Sequence, residues 1–295
     1  MKYTNNHGLP DILVQWLEYD EYDHEDGVLS ATAIMRPIRA TVIMERNKDD
    51  LEIDVTEVIA SRYGTAIHDS FEKVPLKDCI QEKRLYAELD GFRISGKPDI
   101  LRDLKDGRHQ LLDIKSTSVW TVIYGSREHD HILQLSIYRW LAERNGYKVT
   151  DDAEIIYIFT DWSKSKAKKD PDYPQLRCMI KPIKLMSIQE IEDYMKERLM
   201  AIRYLVDNPD LKLPECNREE LWQQDDKWAV MKRGRKTAVK VFDNEQDALE
   251  MVAREGENTH WVEHRPGKVN RCDYCPARKF CDQYSRLVEE GLIGD

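Results

Sequence analysis

The sequence predicts an α/β (α+β) fold, on three observations. Apolar residues recur at helical spacing over residues 57–74, short strand patterns punctuated by Asp-Gly turns fill residues 85–115, and a second helical pattern is followed by another strand. In the first helix Val58, Ile59, Tyr63, Ile67, Phe71 and Val74 are three or four apart, Gly64 interrupts them, and His68 rides on the same helix. Residues 85–89, 92–95, 99–104 and 109–115 then read as an antiparallel meander, with Asp90-Gly91 and Asp106-Gly107 as hairpin turns. Ile132, Leu133, Leu135, Ile137, Trp140 and Leu141 mark the second helix, which Asn145-Gly146 closes, and residues 153–160 form the next strand. A lysine-rich stretch, 163–169, and the proline-bearing 170–174 read as a loop before a strand at 176–183. Ser187 and Glu190 make a capping box for a long helix with an Ile188, Ile191, Met195, Leu199, Ile202 and Leu205 stripe, ended by Asn208-Pro209.

From Leu211 the pattern changes to a basic hairpin over 228–241, a short helix over 245–255 and a strand at 261–263. The expected organisation is therefore a core over 1–210 with an acidic N-terminal segment, a small basic α+β insert over 211–270, and a cysteine-bearing tail over 271–295 that closes on the core.

Hydrophobic residues at 41% and charged residues at 34% fit a soluble globular chain with a heavily charged surface, so disorder is not the default expectation. No apolar stretch approaches the roughly 20 residues of a membrane span, and the N-terminus has no signal-like apolar region, so a soluble cytoplasmic protein of a bacterial or phage-infected cell is expected. A net charge of −10 argues against coating nucleic acid by bulk electrostatics. The charge is segregated: Asp11, Glu18, Asp20, Glu21, Asp23, Glu25 and Asp26 form an acidic run, whereas residues 227–240 and 163–169 carry only bases and offer local phosphate contacts or solvated edges.

Chemistry is concentrated in Gly96-Lys97-Pro98-Asp99 and, fourteen residues beyond Asp99, Asp113-Ile114-Lys115. Residues two apart on a strand share a face, so Asp113 and Lys115 point to one side and Ile114 to the core. Pairing through the Asp106-Gly107 turn brings Asp99 beside Asp113. Two carboxylates suit Mg²⁺ or Mn²⁺, and an ammonium can orient water or stabilise charge on a phosphate, which is what phosphodiester hydrolysis requires.

With Gly64-Thr65-Ala66-Ile67-His68 before these motifs and Gln134-Leu135-Ser136-Ile137-Tyr138 after them, the chain resembles the PD-(D/E)XK nuclease superfamily, in particular its RecB-like branch, which includes CRISPR-associated RecB-like exonucleases and phage RecB-like nucleases. The resemblance implies a restriction-endonuclease-like core with a mixed central sheet flanked by helices. It implies His68, Asp99 and Asp113 as metal ligands, Lys115 as the catalytic lysine, and Gln134 and Tyr138 as residues that touch DNA or support the lysine. Glu88, on the preceding strand, is a weaker candidate better read as exposed.

Cys272-x₂-Cys275-x₅-Cys281 places three thiols close together in the tail, ahead of a short helix over 282–292. The spacing accepts structural Zn²⁺ or a [4Fe-4S] cluster. The resemblance favours iron-sulfur with an upstream fourth cysteine, for which Cys216 is the choice; no cysteine precedes Cys79, which departs from the CRISPR-associated pattern. Cys79 and Cys178 read as small core residues.

The expected function is a metal-dependent DNA exonuclease or end- and flap-processing nuclease in recombination, repair or phage DNA metabolism. Its substrate would be single-stranded DNA or duplex ends, with a helicase or recombinase as candidate partner and no membrane. A restriction-like or structure-specific endonuclease is the alternative enzyme reading, and a catalytically inactive metal-stabilised DNA-binding module the non-enzyme one. Trp222 and Trp228 beside the basic hairpin over 232–240 offer stacking surface or simple packing.

Overall fold

The structure, a computed structural model, describes residues 2–19, 25, 27–125 and 127–293. Asp20, Glu21, Asp23 and Asp26 of the acidic run lie outside the described residues. The chain divides into two units, Met1–Lys212 and Leu213–Asp295.

The first unit runs β1 (Lys2–Thr4), α1 (Asp11–Glu18), β2 (Val28–Ser30), α2 (Ala31–Met35), α3 (Ile38–Arg46), β3 (Glu52–Asp54), α4 (Ile59–Glu72), β4 (Cys79–Gln81), β5 (Leu85–Leu89) and β6 (Phe92–Gly96). It continues with β7 (Ile100–Asp103), β8 (His109–Thr117), α5 (Val119–Ile123), α6 (Glu128–Arg144), β9 (Asp152–Phe159), α7 (Lys164–Ala167), β10 (Cys178–Lys184) and α8 (Ile188–Asp207). Its main sheet has the order β10-β9-β8-β7-β4 and is mixed, β8 and β9 being parallel and the other pairs antiparallel. The helix α6 between β8 and β9 makes that parallel pairing possible, since parallel neighbours need a long crossover. The fold class is thus mixed α+β, with a mixed sheet flanked by helices.

Period-two alternation on β8 sorts the two faces of the sheet. Leu112 and Ile114 pack with Ile67 and Phe71 of α4, while Leu111 joins the larger cluster that holds Leu135, Ile137, Trp140 and Leu141 of α6. Burying a side chain such as Ile114 contributes about 1.5–3 kcal/mol, so a register slip that exchanged the faces would also drive Asp113 into the apolar layer of α4. The helix α8 begins with the expected capping box, in which Ser187 and Glu190 satisfy each other's backbone amides.

The meander expected over residues 85–115 is instead split between two sheets. The strand β6 pairs with β5 on one side and β2 on the other, whereas β7 and β8 belong to the main sheet. The break falls at Gly96-Lys97-Pro98-Asp99. Proline has no N–H for a ladder, and a Cβ on Gly96 would sit 2.6 Å from Leu141 Cδ1 and 2.9 Å from Tyr138 Cε1, so only glycine lets the chain turn this close to α6. Two smaller readings change as well. The lysine-rich segment contains the one-turn helix α7, capped by Ser163, and Cys178 is exposed on the edge strand β10.

The second unit contains β11 (Lys227–Lys232), β12 (Lys240–Phe242), α9 (Glu245–Glu255), β13 (His260–Arg265) and α10 (Asp282–Glu289). Its strands form an antiparallel sheet of order β12-β11-β13, and Val230, Ala248 and Val252 make the core between this sheet and α9. Leu221, Val269, Leu287 and Ile293 form a second core, against which Cys216 and Cys272 pack. Residues 271–293 thus share a unit with residues 213–270.

Candidate active site

The register Ile100↔Leu112 sets Asp99 opposite Asp113 at the point where the chain leaves the sheet through Pro98. That departure would leave the Ile114 amide of β8 without a strand partner. Asp99 fills the gap: its buried carboxylate accepts from Ile114 N–H through Oδ2 at 2.6 Å, while Oδ1 lies 3.4 Å from His68 Nδ1. One side chain thereby closes the sheet and faces the helix α4.

Glu82, which the sequence did not single out, completes the cluster. Its backbone N–H donates to Asp99 C=O at 3.0 Å, extending the β4–β7 ladder by one residue. Just before it, Gln81 binds the end of α4, donating from Nε2 to Phe71 C=O and accepting from Leu76 N–H. Glu82 itself has φ of 48°, a left-handed conformation that costs a non-glycine residue about 1–3 kcal/mol and clusters at functional sites. Its carboxylate lies 3.6 Å from His68 Nδ1 and 3.0 Å from Lys97 Nζ. Glu88, the glutamate considered earlier, is exposed on β5 opposite Arg93.

On the neighbouring strand, Lys115 Nζ donates to Asp113 Oδ1 at 3.0 Å and lies 2.8 Å from Oδ2 outside hydrogen-bonding geometry. Asp113 Oδ2 is therefore a buried carboxylate oxygen with no hydrogen-bond donor among the described residues. Burial pushes the Asp113 carboxyl above its ordinary range, Lys115 pulls it down, and Asp99 adds to the upward shift. Burial also opposes the charge on Lys115, but Asp113 and Asp99 outweigh it and hold the ammonium above its ordinary value. For His68, Asp99 first and Glu82 second raise the pKa to about 10. Clustered carboxylates raise His68 and Lys115, whereas burial leads the rise at Asp113, and such a cluster is an environment that attracts cations.

The donor set fits a divalent cation. Ligand atoms of His68, Glu82 and Asp99 all lie within 4.8 Å of one another, and one imidazole with carboxylates suits Mn²⁺ or, with fewer nitrogen contacts, Mg²⁺. Asp113, expected as a ligand, is not one of the three residues whose ligand atoms come together, but its charge interacts with those of Asp99 and His68 and its Oδ2 has no hydrogen-bond donor among the described residues.

Gln134 and Tyr138 sit one turn apart on α6, Gln134 Nε2 donating to Tyr138 OH at 3.0 Å. The Tyr138 ring is buried against Gly96 and so backs the turn that carries Asp99. The sequence model of the PD-(D/E)XK nuclease superfamily matches residues 44–282, from before α4 through the last cysteine. The chain belongs to the PD-(D/E)XK nuclease superfamily.

Within this superfamily assignment, two solved structures are similar to the chain at 17% identity each. The crystal structure of SSO0001 covers 64% of this chain and 84% of its own, with a TM-score of 0.44. That of a phage-related exonuclease from Haemophilus somnus 129PT covers 67% of this chain and 93% of its own, with a TM-score of 0.35. No curated protein matches the chain.

In the second unit, Cys216 is clamped through its backbone: its N–H donates to Gln283 Oε1 at 2.8 Å and its C=O accepts from Gln283 Nε2 at 2.9 Å. Gln283 is buried on α10, two residues beyond Cys281. Burial pushes the Cys216 thiol up to about 12, with Glu220, Cys281, Cys272 and Cys275 adding to the shift. Burial, followed by Cys275 and Cys281, does the same for Cys272. The four cysteines thus share one electrostatic neighbourhood. Among the described residues the group of closely placed metal-ligand atoms is that of His68, Glu82 and Asp99, and the cysteines are not part of one. The tryptophans beside the basic hairpin are engaged in packing: Trp228 against the Val230 core and His264, Trp222 between Arg271 and Tyr274. No helix among the described residues is long and apolar enough to cross a membrane.

Proposed function

We propose that the chain is a Mg²⁺- or Mn²⁺-dependent deoxyribonuclease that processes DNA ends as an exonuclease or flap nuclease. The observation that carries this reading is the convergence of His68, Glu82 and Asp99 beside the Asp113–Lys115 ion pair. His68, Glu82, Asp99 and Asp113 would hold a divalent ion, which supplies activation of the attacking water and neutralises charge on the scissile phosphate. Lys115 remains cationic at neutral pH because its neighbours are anionic, and Asp113 aims it. Its ammonium orients the water or stabilises the oxygen that gains charge. Tyr138 and Gln134 act from behind, fixing the turn that positions Asp99.

Cys216, Cys272, Cys275 and Cys281 would hold a structural [4Fe-4S] cluster, which the family resemblance favours over zinc and which would stabilise the second unit without taking part in hydrolysis. Recombination, repair or phage DNA metabolism is the setting such an activity fits.

The test is incubation of the purified protein with single- and double-stranded DNA, with and without Mg²⁺ or Mn²⁺, beside Asp113→Ala. Cleavage is expected only in the wild type with metal. Activity that survives chelator, or the variant, would overturn the site. End-labelled linear DNA against closed circles then separates end processing, which spares circles, from endonuclease action.

A further inference from the structure

A second surface lies directly beyond the catalytic strand. The strand β8 ends at Thr117 and runs into α5, so Trp120 is five residues from Lys115, a span of at most about 17 Å. The start of α5 is fixed, since the Asp161 carboxylate accepts from Ser118 Oγ at 2.7 Å and from Val119 N–H at 2.8 Å. Farther along, Arg127 lies close enough to lower the Lys115 pKa by its charge. The surface and the catalytic lysine therefore share one end of the sheet.

Aromatic and basic groups alternate there. The rings of Trp120 and Tyr124 stack at 5.9 Å with 21° between their planes, Lys166 Nζ lies 4.6 Å over the Trp120 ring, and Tyr173 meets Trp120 edge-on. Tyr173 is buried and accepts from Ser163 N–H at 3.0 Å, while Trp162 Nε1 donates to Pro174 C=O at 2.7 Å, so the lysine-bearing turn is bolted in place. Yet Trp120 is 39% and Tyr124 74% exposed, and Lys166 over the Trp120 ring belongs to a turn on which Lys164, Lys168 and Lys169 are also exposed. Asp161, hydrogen-bonded to the start of α5, is the acid whose charge also meets Lys166, and Asp170 and Asp172 follow the run. In a chain of net charge −10 this is a localised basic patch around open aromatic faces.

We propose that Trp120, Tyr124 and Lys166 form a seat for single-stranded DNA: a base stacks on the open face of Tyr124, and the lysines of residues 164–169 take the adjoining phosphates. This rests on the nuclease reading and names the form of substrate that reaches its site. Base stacking requires a face that a duplex hides inside its own stack, so unpaired nucleotides are the matching partner, and lysines spaced along a turn suit a flexible phosphate backbone. Trp120 acts as the base of the seat, held by Lys166 and Tyr173, and Tyr124 as its upper surface.

The experiment measures binding of the full chain to a labelled oligodeoxythymidine and to a blunt duplex in chelator, by fluorescence anisotropy, with Mn²⁺-dependent cleavage followed on the same preparations. Joint replacement Trp120→Ala and Tyr124→Ala is expected to weaken strand binding about 5- to 150-fold for each stacked base lost, leaving duplex affinity unchanged. Joint replacement Trp120→Phe and Tyr124→Phe retains the π faces and should restore strand binding, which separates stacking from misfolding. Unchanged strand affinity in the alanine protein, an equal loss on the duplex, or an effect confined to an oligouridine control overturns the seat. Wild type that cuts while the alanine protein binds normally removes only the seat. Aromatic-dependent strand binding without any cleavage removes only the nuclease reading.

Discussion

His131 provides a test of the electrostatics behind Lys115. It is buried on α6 with Nδ1 3.0 Å from Tyr157 OH, and Tyr157 is the register partner of Lys115 on the neighbouring strand. Burial first, then the charges of Lys115, Arg127 and Lys181, push its pKa down to about 3. In the unfolded chain the value returns to its ordinary 6.5. Between the two, the unfolded chain binds a proton that the folded chain refuses, so the stability associated with His131 is full above pH 6.5 and is lost as pH falls towards 3. From pH 7 to pH 5 the loss works out to about 2 kcal/mol. Asp113 works in the opposite direction, because burial raises its carboxyl and the folded chain takes up that proton first on acidification. The raised pKa of His68 adds stability that is full below pH 6.5 and is lost only as pH rises towards 10. Total stability therefore mixes signs, and a difference between two proteins isolates the term. His131→Gln keeps a polar partner for Tyr157 and does not titrate. Urea unfolding at pH 7 and pH 5 should show the wild type losing about 2 kcal/mol more than the variant. Equal pH slopes in the two proteins would refute the buried neutral histidine.

Other perturbations reach the site and the second unit. Gly96→Ala should cost about 1–3 kcal/mol in thermal or urea unfolding, because the new Cβ overlaps Leu141 and Tyr138, and should slow cleavage by displacing Asp99; a variant of wild-type stability and rate would remove the role given to that close approach. Glu82→Gln should raise the Mn²⁺ concentration for half-maximal cleavage at least about tenfold, the lower range for disturbing a metal site, and an unchanged metal titration would exclude Glu82 as a ligand. Cys275→Ala should lose iron, read by metal analysis and visible absorption, together with thermal stability of the protein; unchanged metal content and melting would exclude the cysteine cluster.

The sequence disclosed what depends on short-range periodicity. Asp113 and Lys115 could be set on one face because β8 alternates, and Ser187 with Glu190 announced α8 because a capping box is local. Likewise Asn145-Gly146 ended α6, with Gly146 at a φ of 87°. Glu82 was illegible because its place depends on β4 pairing with β7, a contact between segments separated by β5 and β6. The split of the meander was equally hidden: Asp90-Gly91 and Asp106-Gly107 make true hairpins, but nothing in the strand pattern says that β6 and β7 part at Pro98. The exposed aromatic pair at α5 also escaped notice, since Trp120 on the five-residue helix and Tyr124 just after it look apolar until their burial is known.

Asp99 carries a consequence for anyone seeking an inert form of this protein. Its Oδ2 serves as the acceptor that a departing strand would otherwise have provided, and its Oδ1 faces His68. Asp99→Ala would therefore remove a structural acceptor along with a reactive anion, leaving a buried amide unsatisfied at a cost of about 1–3 kcal/mol, and loss of activity in that variant would have two origins. Asp99→Asn can keep a carbonyl oxygen on the Ile114 amide while withdrawing the negative charge. It is the substitution that separates joinery from reactivity, and the preferable starting point for a protein meant to hold DNA without cutting it.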